Sequence, residues 1–292
     1  MIITNLKGGL GNQMFQYAAA RRLAEINDSS LKLDLSFINH FQFKPGITPR
    51  NYDLHIFNIN EDFAKAPEVA RFKNLRWKIL RKFWPRYSQN PYINETDQRF
   101  QSELLGLSDN KYLDGHWMSE KYFKDIEFII RQEFTFKRKI LDEGQPLLNR
   151  ITQSNSVCIQ IRRGDYVANA QIAKIHQTTT LSYFYAAIEQ IRLKILNPVF
   201  FVFSDDPNWC KLNLNQLENC HFVEMEFSNG GVGDYFQLMV HCKYFIISNS
   251  TFGWWGAWLS RFEQKIVIAP KCWFKDETIF AGDICPNSWI KI

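Results

Sequence analysis

Ile2-Ile3-Thr4-Asn5-Leu6-Lys7-Gly8-Gly9-Leu10-Gly11-Asn12-Gln13-Met14-Phe15-Gln16-Tyr17-Ala18 decides how this chain folds. Ile2 to Leu6 reads as a short strand, and Lys7 to Asn12 as a glycine-rich turn. From Gln13 to Ile26, apolar residues at 14, 15, 18, 19 and 23 keep the spacing of one helical face. Leu31 to Leu35 reads as the next strand. Strand, turn, helix and strand together open a βαβ unit.

Outward from that opening, the second half repeats the alternation. Strands are expected at Val157 to Ile161, Val199 to Phe203, His221 to Val223 and Tyr244 to Ser248, with a last one at Lys265 to Ala269. Helices are expected at Leu181 to Leu196, Asn208 to Leu217, Gly233 to His241 and Phe252 to Ser260. Apolar strands alternating with helices indicate a parallel sheet buried on both faces, an α/β fold. Between the halves the pattern is weaker. Residues 37 to 110 read as loops and short helices, Lys111 to Leu113 as a strand, and Glu120 to Phe134 as a helix. The polar stretch 135 to 155, with Gly144 and Pro146, marks a boundary between a domain at 1–150 and another at 151–292.

At 292 residues the chain is long enough for two such domains, each with its own core. A net charge of +5 is too mild to indicate a nucleic-acid partner, and a phosphate-bearing substrate accounts for it equally well. The six cysteines include no C-x-x-C pair and read as buried free thiols of a reducing compartment. The six histidines show no metal spacing and are read as structural. The start lacks a signal-peptide pattern, and no stretch is apolar enough to span a bilayer, so a soluble or peripheral cytoplasmic protein is expected. Arg71 to Arg86 carries seven basic residues, no acid and one apolar face. It reads as a helix packed on the first domain, or as a peripheral contact with an anionic membrane at the inner face.

Four segments carry chemistry. Gly8 to Gly11 suits either a tight turn or an anion at a helix start, with Gly9, Gly11, Asn12 and Gln13 as donor contacts. Gln160-Ile161-Arg162-Arg163-Gly164-Asp165-Tyr166 ends a strand, where ligands of open α/β sheets bind. One arginine would fork onto a diphosphate and the other would pair with an acid such as Asp165; a purely structural ion-pair cluster is the other reading. Ser204-Asp205-Asp206-Pro207 reads as a helix cap from Ser204 or Asp205 with possible hydroxyl recognition, in preference to a metal site. Ser248-Asn249-Ser250-Thr251 lies between strand and helix, a cradle for a phosphate, and the tryptophans after it read as packing.

In this order the four segments resemble the α-1,2-fucosyltransferases of glycosyltransferase family 11. The likeness rests on Gly8 to Ala18, Arg162-Arg163-Gly164-Asp165-Tyr166, Ser204-Asp205-Asp206 and Ser248 to Trp255, and spans Gly8 to about Trp289. It implies a GT-B architecture of two Rossmann-like domains facing across a cleft. The first would be the acceptor-side domain and the second would bind the nucleotide sugar. It further implies GDP-β-L-fucose as donor, a galactose 2-hydroxyl as acceptor, inversion, and neither metal nor cofactor. The glycine loop, Arg162 and the Ser250-Thr251 turn would then cradle GDP. Where the family usually carries histidine, this chain has Gln160, which binds but cannot shuttle a proton at neutral pH. Asp165 is therefore the candidate base, with Asp34 and Asp114 in reserve. Another GDP-sugar as donor, or a non-catalytic carbohydrate-binding protein, remain the competing readings.

Overall fold

The computed structural model describes residues 1–41, 49–73, 90–168, 173, 178–224 and 231–292, without the side chains of Phe41, Asp165 and Ala168. The chain divides into two compact units. One comprises Met1–Thr135 with Ile279–Pro286, the other Phe136–Thr278 with Asn287–Ile292.

The first unit contains β1 (Ile2–Asn5), α1 (Leu10–Ile26), β2 (Leu31–Asp34), α2 (Ser36–Phe41), α3 (Ala66–Lys73), β3 (Tyr92–Asn94), β4 (Lys111–Asp114) and α4 (Glu127–Glu133). Its sheet runs β2-β1-β4-β3, and every pair is parallel. The third strand was hidden in the irregular stretch 37 to 110, because three residues are too few to show a period. Helix α1 begins at Leu10, earlier than the apolar spacing suggests: Gly9 is the N-cap, and its carbonyl accepts the N–H groups of Asn12 and Gln13 at 3.0 and 3.1 Å. Glu120 to Phe134 is not one helix. Two single 3-10 turns precede α4, because Phe123 leaves helical geometry between them at ψ 13°. Helix α3 covers 71–73 of the basic stretch, and 74–86 lie outside the described residues.

The second unit contains α5 (Gln145–Gln153), β5 (Asn155–Ile161), α6 (Gly164–Ala168), α7 (Leu181–Lys194), β6 (Pro198–Ser204), α8 (Pro207–Asn213), β7 (Cys220–Val223), α9 (Val232–Val240), β8 (Tyr244–Ile247), α10 (Thr251–Leu259), β9 (Val267–Ala269) and β10 (Ile290–Lys291). The expected division at 150–151 falls inside α5, whose buried Ile151 belongs to the second unit, so the boundary sits earlier, at Thr135. The expected last strand, at 265–269, is followed by β10, which pairs Ile290 with Ile268.

This sheet runs β10-β9-β8-β5-β6-β7, again wholly parallel. Odd residues of β5 point one way, so Val157, Ile159 and Ile161 pack with Phe184, Ala187, Ile188 and Ile191 of α7. Even residues point to the other face, where Gly253 sets α10 directly against Gln160. Trp254 and Trp255 of α10 are fully buried, as packing residues should be. Each fully buried apolar side chain of this kind contributes roughly 1.5–3 kcal/mol. The chain steps outward from β5 through β6 to β7, then returns to the other side of β5 for β8. That reversal is a topological switch point, where open α/β sheets leave a crevice at the strands' carboxyl ends.

Candidate nucleotide-sugar site

Register brings three of the four sequence segments level at this switch point. Ile161 stands opposite Ser204, and Gln160 opposite Ile247, so the residues that follow emerge side by side. Ser248 is the joint. Its N–H and Oγ–H both donate to the Gln160 carbonyl at 3.0 Å, and its Oγ accepts the Arg162 N–H at 3.1 Å.

Both arginines are paired with the aspartates of the next strand end. Arg162 reaches Asp205 at 2.9 Å and Arg163 reaches Asp206 at 3.4 Å, with all four side chains partly exposed. The expected pairing with Asp165 falls on a side chain outside those described; among the described ones both guanidinium groups meet an acid of the next strand end. Asp205 lies next along the ladder from Ser204 and also accepts the Arg163 N–H at 2.8 Å. Gly164 makes room, since a Cβ there would meet Asp205 Oδ2 at 2.8 Å. The cap is Asp206, not Ser204 or Asp205: its carboxylate accepts the Trp209 N–H at 3.1 Å, while Ser204 Oγ accepts the Asp206 N–H at 3.0 Å. Pro207 then supplies the first turn of α8. Arg163 also lies 4.0 Å above the Trp209 ring, and Arg162 5.8 Å from Tyr166, so stacking keeps the guanidinium planes oriented. Among the described residues no group of three or more His, Cys, Asp or Glu side chains comes together in a way that could hold a metal ion.

Asn249 is held by three partners: its amide donates to the Trp273 carbonyl at 2.8 Å, Thr179 Oγ1 donates to its Oδ1 at 3.2 Å, and its carbonyl accepts the Tyr166 hydroxyl at 3.0 Å. Ser250 is the N-cap of α10 and makes no side-chain cap bond; Thr251 opens the helix. Gln160 is buried, and its Oε1 has no hydrogen-bond partner. Thr179, Trp209 and Trp273 escaped the sequence reading, whereas Tyr166 closes the arginine segment quoted from it. Only Trp209, two residues after a capped proline, left a local signal.

The fourth segment belongs to the first unit. Gly8 takes a positive φ of 78°, which turns the chain into α1. Gln13, expected to touch a ligand, is fully buried: Nε2 donates to the Gly8 and Asn51 carbonyls at 3.0 and 2.7 Å, and Oε1 accepts the Asp53 N–H at 3.0 Å. Its amide is spent holding the loop. Gln16 does the same on the other side, accepting the Lys7 N–H at 2.9 Å and donating to the Lys7 carbonyl at 3.1 Å. Gly9, the cap, and Asn12 stay partly exposed, while Gly11 is buried in the first turn.

Neither reserve base is poised to take a proton. Burial would raise the Asp34 carboxyl, but hydrogen bonds from Tyr112 and Ser36 and the charge of Lys73 hold it below the ordinary range. Burial would likewise raise Asp114, yet Lys7, Tyr92 and Asn5 hold it down. Carboxylates stabilised in this way are weak general bases. Glu95 behaves oppositely. Burial pushes its carboxyl up, only partly offset by the N–H groups of His116 and Trp117 and by Lys7.

The profile of Glycosyl transferase family 11 matches residues 1–292. This chain belongs to that family. The family-11 chain is 35% identical over 300 residues to an alpha-1,2-colitosyltransferase of Escherichia coli, covering 100% of this chain and 99% of the relative. It is 30% identical to the O-antigen biosynthesis glycosyltransferase WbnK of Escherichia coli, over 98% of this chain and 99% of that one. Among solved structures, fucosyltransferase NodZ from Bradyrhizobium superposes with a TM-score of 0.51 at 14% identity, covering 88% of this chain and 91% of that chain. That likeness is one of fold, of the GT-B-like α/β class; that the chain is a glycosyltransferase follows from its family. No helix among the described residues is long and apolar enough to cross a membrane.

Proposed function

We propose that this chain transfers L-fucose from GDP-β-L-fucose to the 2-hydroxyl of a galactoside acceptor, with inversion and without a metal ion. The observation that carries the reading is the pair of oriented guanidinium groups, Arg162 and Arg163, at the strand-order switch beside Ser248 and the first turn of α10. A departing nucleoside diphosphate leaves with charge that some fixed cation must meet, and forked guanidinium groups with helix-start N–H groups do so. Asp205 and Asp206 hold the arginines in place until the diphosphate competes for them.

In this reading the second unit holds the donor through Gln160, Arg162, Arg163, Ser204, Asp205, Asn249, Ser250 and Thr251. Gly9, Gly11 and Asn12 belong to the first, acceptor-side unit. Asp165, just past Gly164 on α6, serves as base. The reaction is placed in the cytoplasm, on an acceptor that includes the lipid-linked oligosaccharides of the inner membrane face. A second donor is favoured by the 35% identity to a colitosyltransferase. Colitose is L-fucose without its 3-hydroxyl, and a diphosphate cradle does not see that difference.

The test is GDP release with lactose as acceptor, in EDTA, from GDP-fucose and GDP-colitose in parallel. We expect acceptor-dependent turnover, and a loss of about 10²–10³-fold in Arg162→Ala. Turnover that requires a divalent ion, or an Arg162→Ala enzyme as fast as the wild type, overturns the reading. A strong preference between the donors assigns the sugar.

A further inference from the structure

The first unit has its own switch point. The chain leaves β1 for β2 on one side, crosses to β3 at the far edge and then fills in β4 beside β1; open α/β sheets leave a crevice at the carboxyl ends where strand order reverses in this way. At the end of β4 the turn Gly115-His116-Trp117 is built at a cost. Trp117 is fully buried with φ 55°, a conformation that bulky residues avoid. Its indole N–H has no hydrogen-bond partner in the structure. A Cβ on Gly115 would sit 2.5 Å from Glu95 Cβ and 2.6 Å from the Trp117 ring, so only glycine fits. The Glu95 carboxylate, at the end of β3, locks the turn by accepting the N–H groups of His116 at 2.6 Å and Trp117 at 3.0 Å.

The effect of this strained, locked turn is to present one side chain. Gly115 has none, Trp117 points into the core, and His116 is 35% exposed with Nδ1 3.9 Å from Glu95 Oε2. Strained backbone concentrates where a group must be held in place for a ligand. Beside it at the same edge, Lys7 and Asp114 pair at 2.9 Å, and Asp114 also accepts from Asn5 at 3.0 Å and from Tyr92.

We propose that this edge is the acceptor-sugar site, with His116 as the side chain that hydrogen-bonds a sugar hydroxyl and Glu95 as the residue that positions it. The proposal rests on the transferase reading above and deepens it. The chemistry of the edge selects the ligand class. Among the described residues around His116, the Glu95 carboxylate stands beside the imidazole and the Lys7 ammonium is already paired with Asp114, a setting that offers a phosphate little. A neutral polyol, which both donates to imidazole and carboxylate and accepts from ammonium, is suited.

The experiment compares wild type, His116→Ala, His116→Gln and Glu95→Gln. Each is checked for an unchanged melting temperature, then assayed for KM and kcat toward lactose and toward the nucleotide sugar. The expected result is a rise of about ten-fold or more in lactose KM for His116→Ala, with the donor KM within about two-fold and partial recovery in His116→Gln. Glu95→Gln should raise lactose KM without moving donor KM, the split that separates positioning from loss of fold. An unchanged lactose KM in His116→Ala overturns the inference and leaves the transferase reading standing. If the wild type turns over neither GDP-fucose nor GDP-colitose, that reading fails, and the site is then read by saturation-transfer NMR with galactose-terminated oligosaccharides. Contacts present in the wild type and lost in His116→Ala support the site. Equal contacts in both proteins, or none in either, sink it.

Discussion

At the carboxyl edge of the second sheet, Arg162 and Arg163 meet Asp205 and Asp206 one to one; at that of the first, Asp114 pairs with Lys7 while the Glu95 carboxylate is taken up by backbone N–H groups. The scaffolds are alike: an all-parallel sheet, a reversal of strand order, and glycines where the backbone must come close. What separates the edges is which charges the loops carry. At the first edge the described carboxylates are spent on a locked turn and on one lysine. At the second, the described charges pair two against two, beside a helix start whose N-cap side chain makes no cap bond. Under the assignments proposed above, one polypeptide offers an anionic donor and a neutral acceptor separate berths without any change of fold.

The largest effect that would break this comparison is an exchange of phenotypes. Arg162→Ala should harm donor use and His116→Ala acceptor use. Steady-state kinetics over both substrates would show the division collapsing if either variant moved both KM values together. Next is Gly253→Ala, which sets a Cβ 2.5 Å from Gln160 Oε1 in a packed interior. It should cost about 1–3 kcal/mol in urea denaturation, with much of that recovered in the double variant with Gln160→Ala. Gly8→Ala forces a side chain to φ 78° in the other unit and should cost about 1–2 kcal/mol with no dependence on residue 160.

The smallest effect concerns pH. Asp34 titrates lower in the fold than in the unfolded chain. Its contribution is therefore present above the unfolded value of about 3.9 and is lost as pH falls through the depressed folded value. Tyr112→Phe removes the 2.6 Å bond to Asp34 and should cost about 1 kcal/mol at neutral pH. The gap to wild type should narrow in acid; a constant gap from pH 7 to 3 would show that the bond does not act through the carboxylate.

These edges were unequally legible. The parallel second sheet could be read from its apolar strands, because β5, β6 and β8 are buried on both faces along their central residues. The phosphate-friendly segments could be placed because each follows a strand directly. Partner choice could not be read. That Arg162 meets Asp205 depends on the β5–β6 register, which is set by a connection of more than thirty residues. Gln13 misled because a polar side chain in a glycine loop resembles a ligand contact, while the backbone of residues 51 to 53 that absorbs it is distant in sequence. Glu95 and His116 were invisible as a pair because β3 is only three residues long and carries no periodicity.

One strand-sized detail bears on how the protein is made. Ile279–Pro286 belongs to the first unit, where Asp283 accepts the Phe100 N–H at 2.9 Å and pairs with Lys121, whereas Ile290 and Lys291 add the edge strand of the second sheet. A ribosome has therefore passed residue 279 before the first unit receives this piece, and residue 290 before the second receives its edge strand. Neither can finish folding on the nascent polypeptide ahead of the other, and a stop codon near residue 279 would leave two incomplete units instead of one intact and one lost.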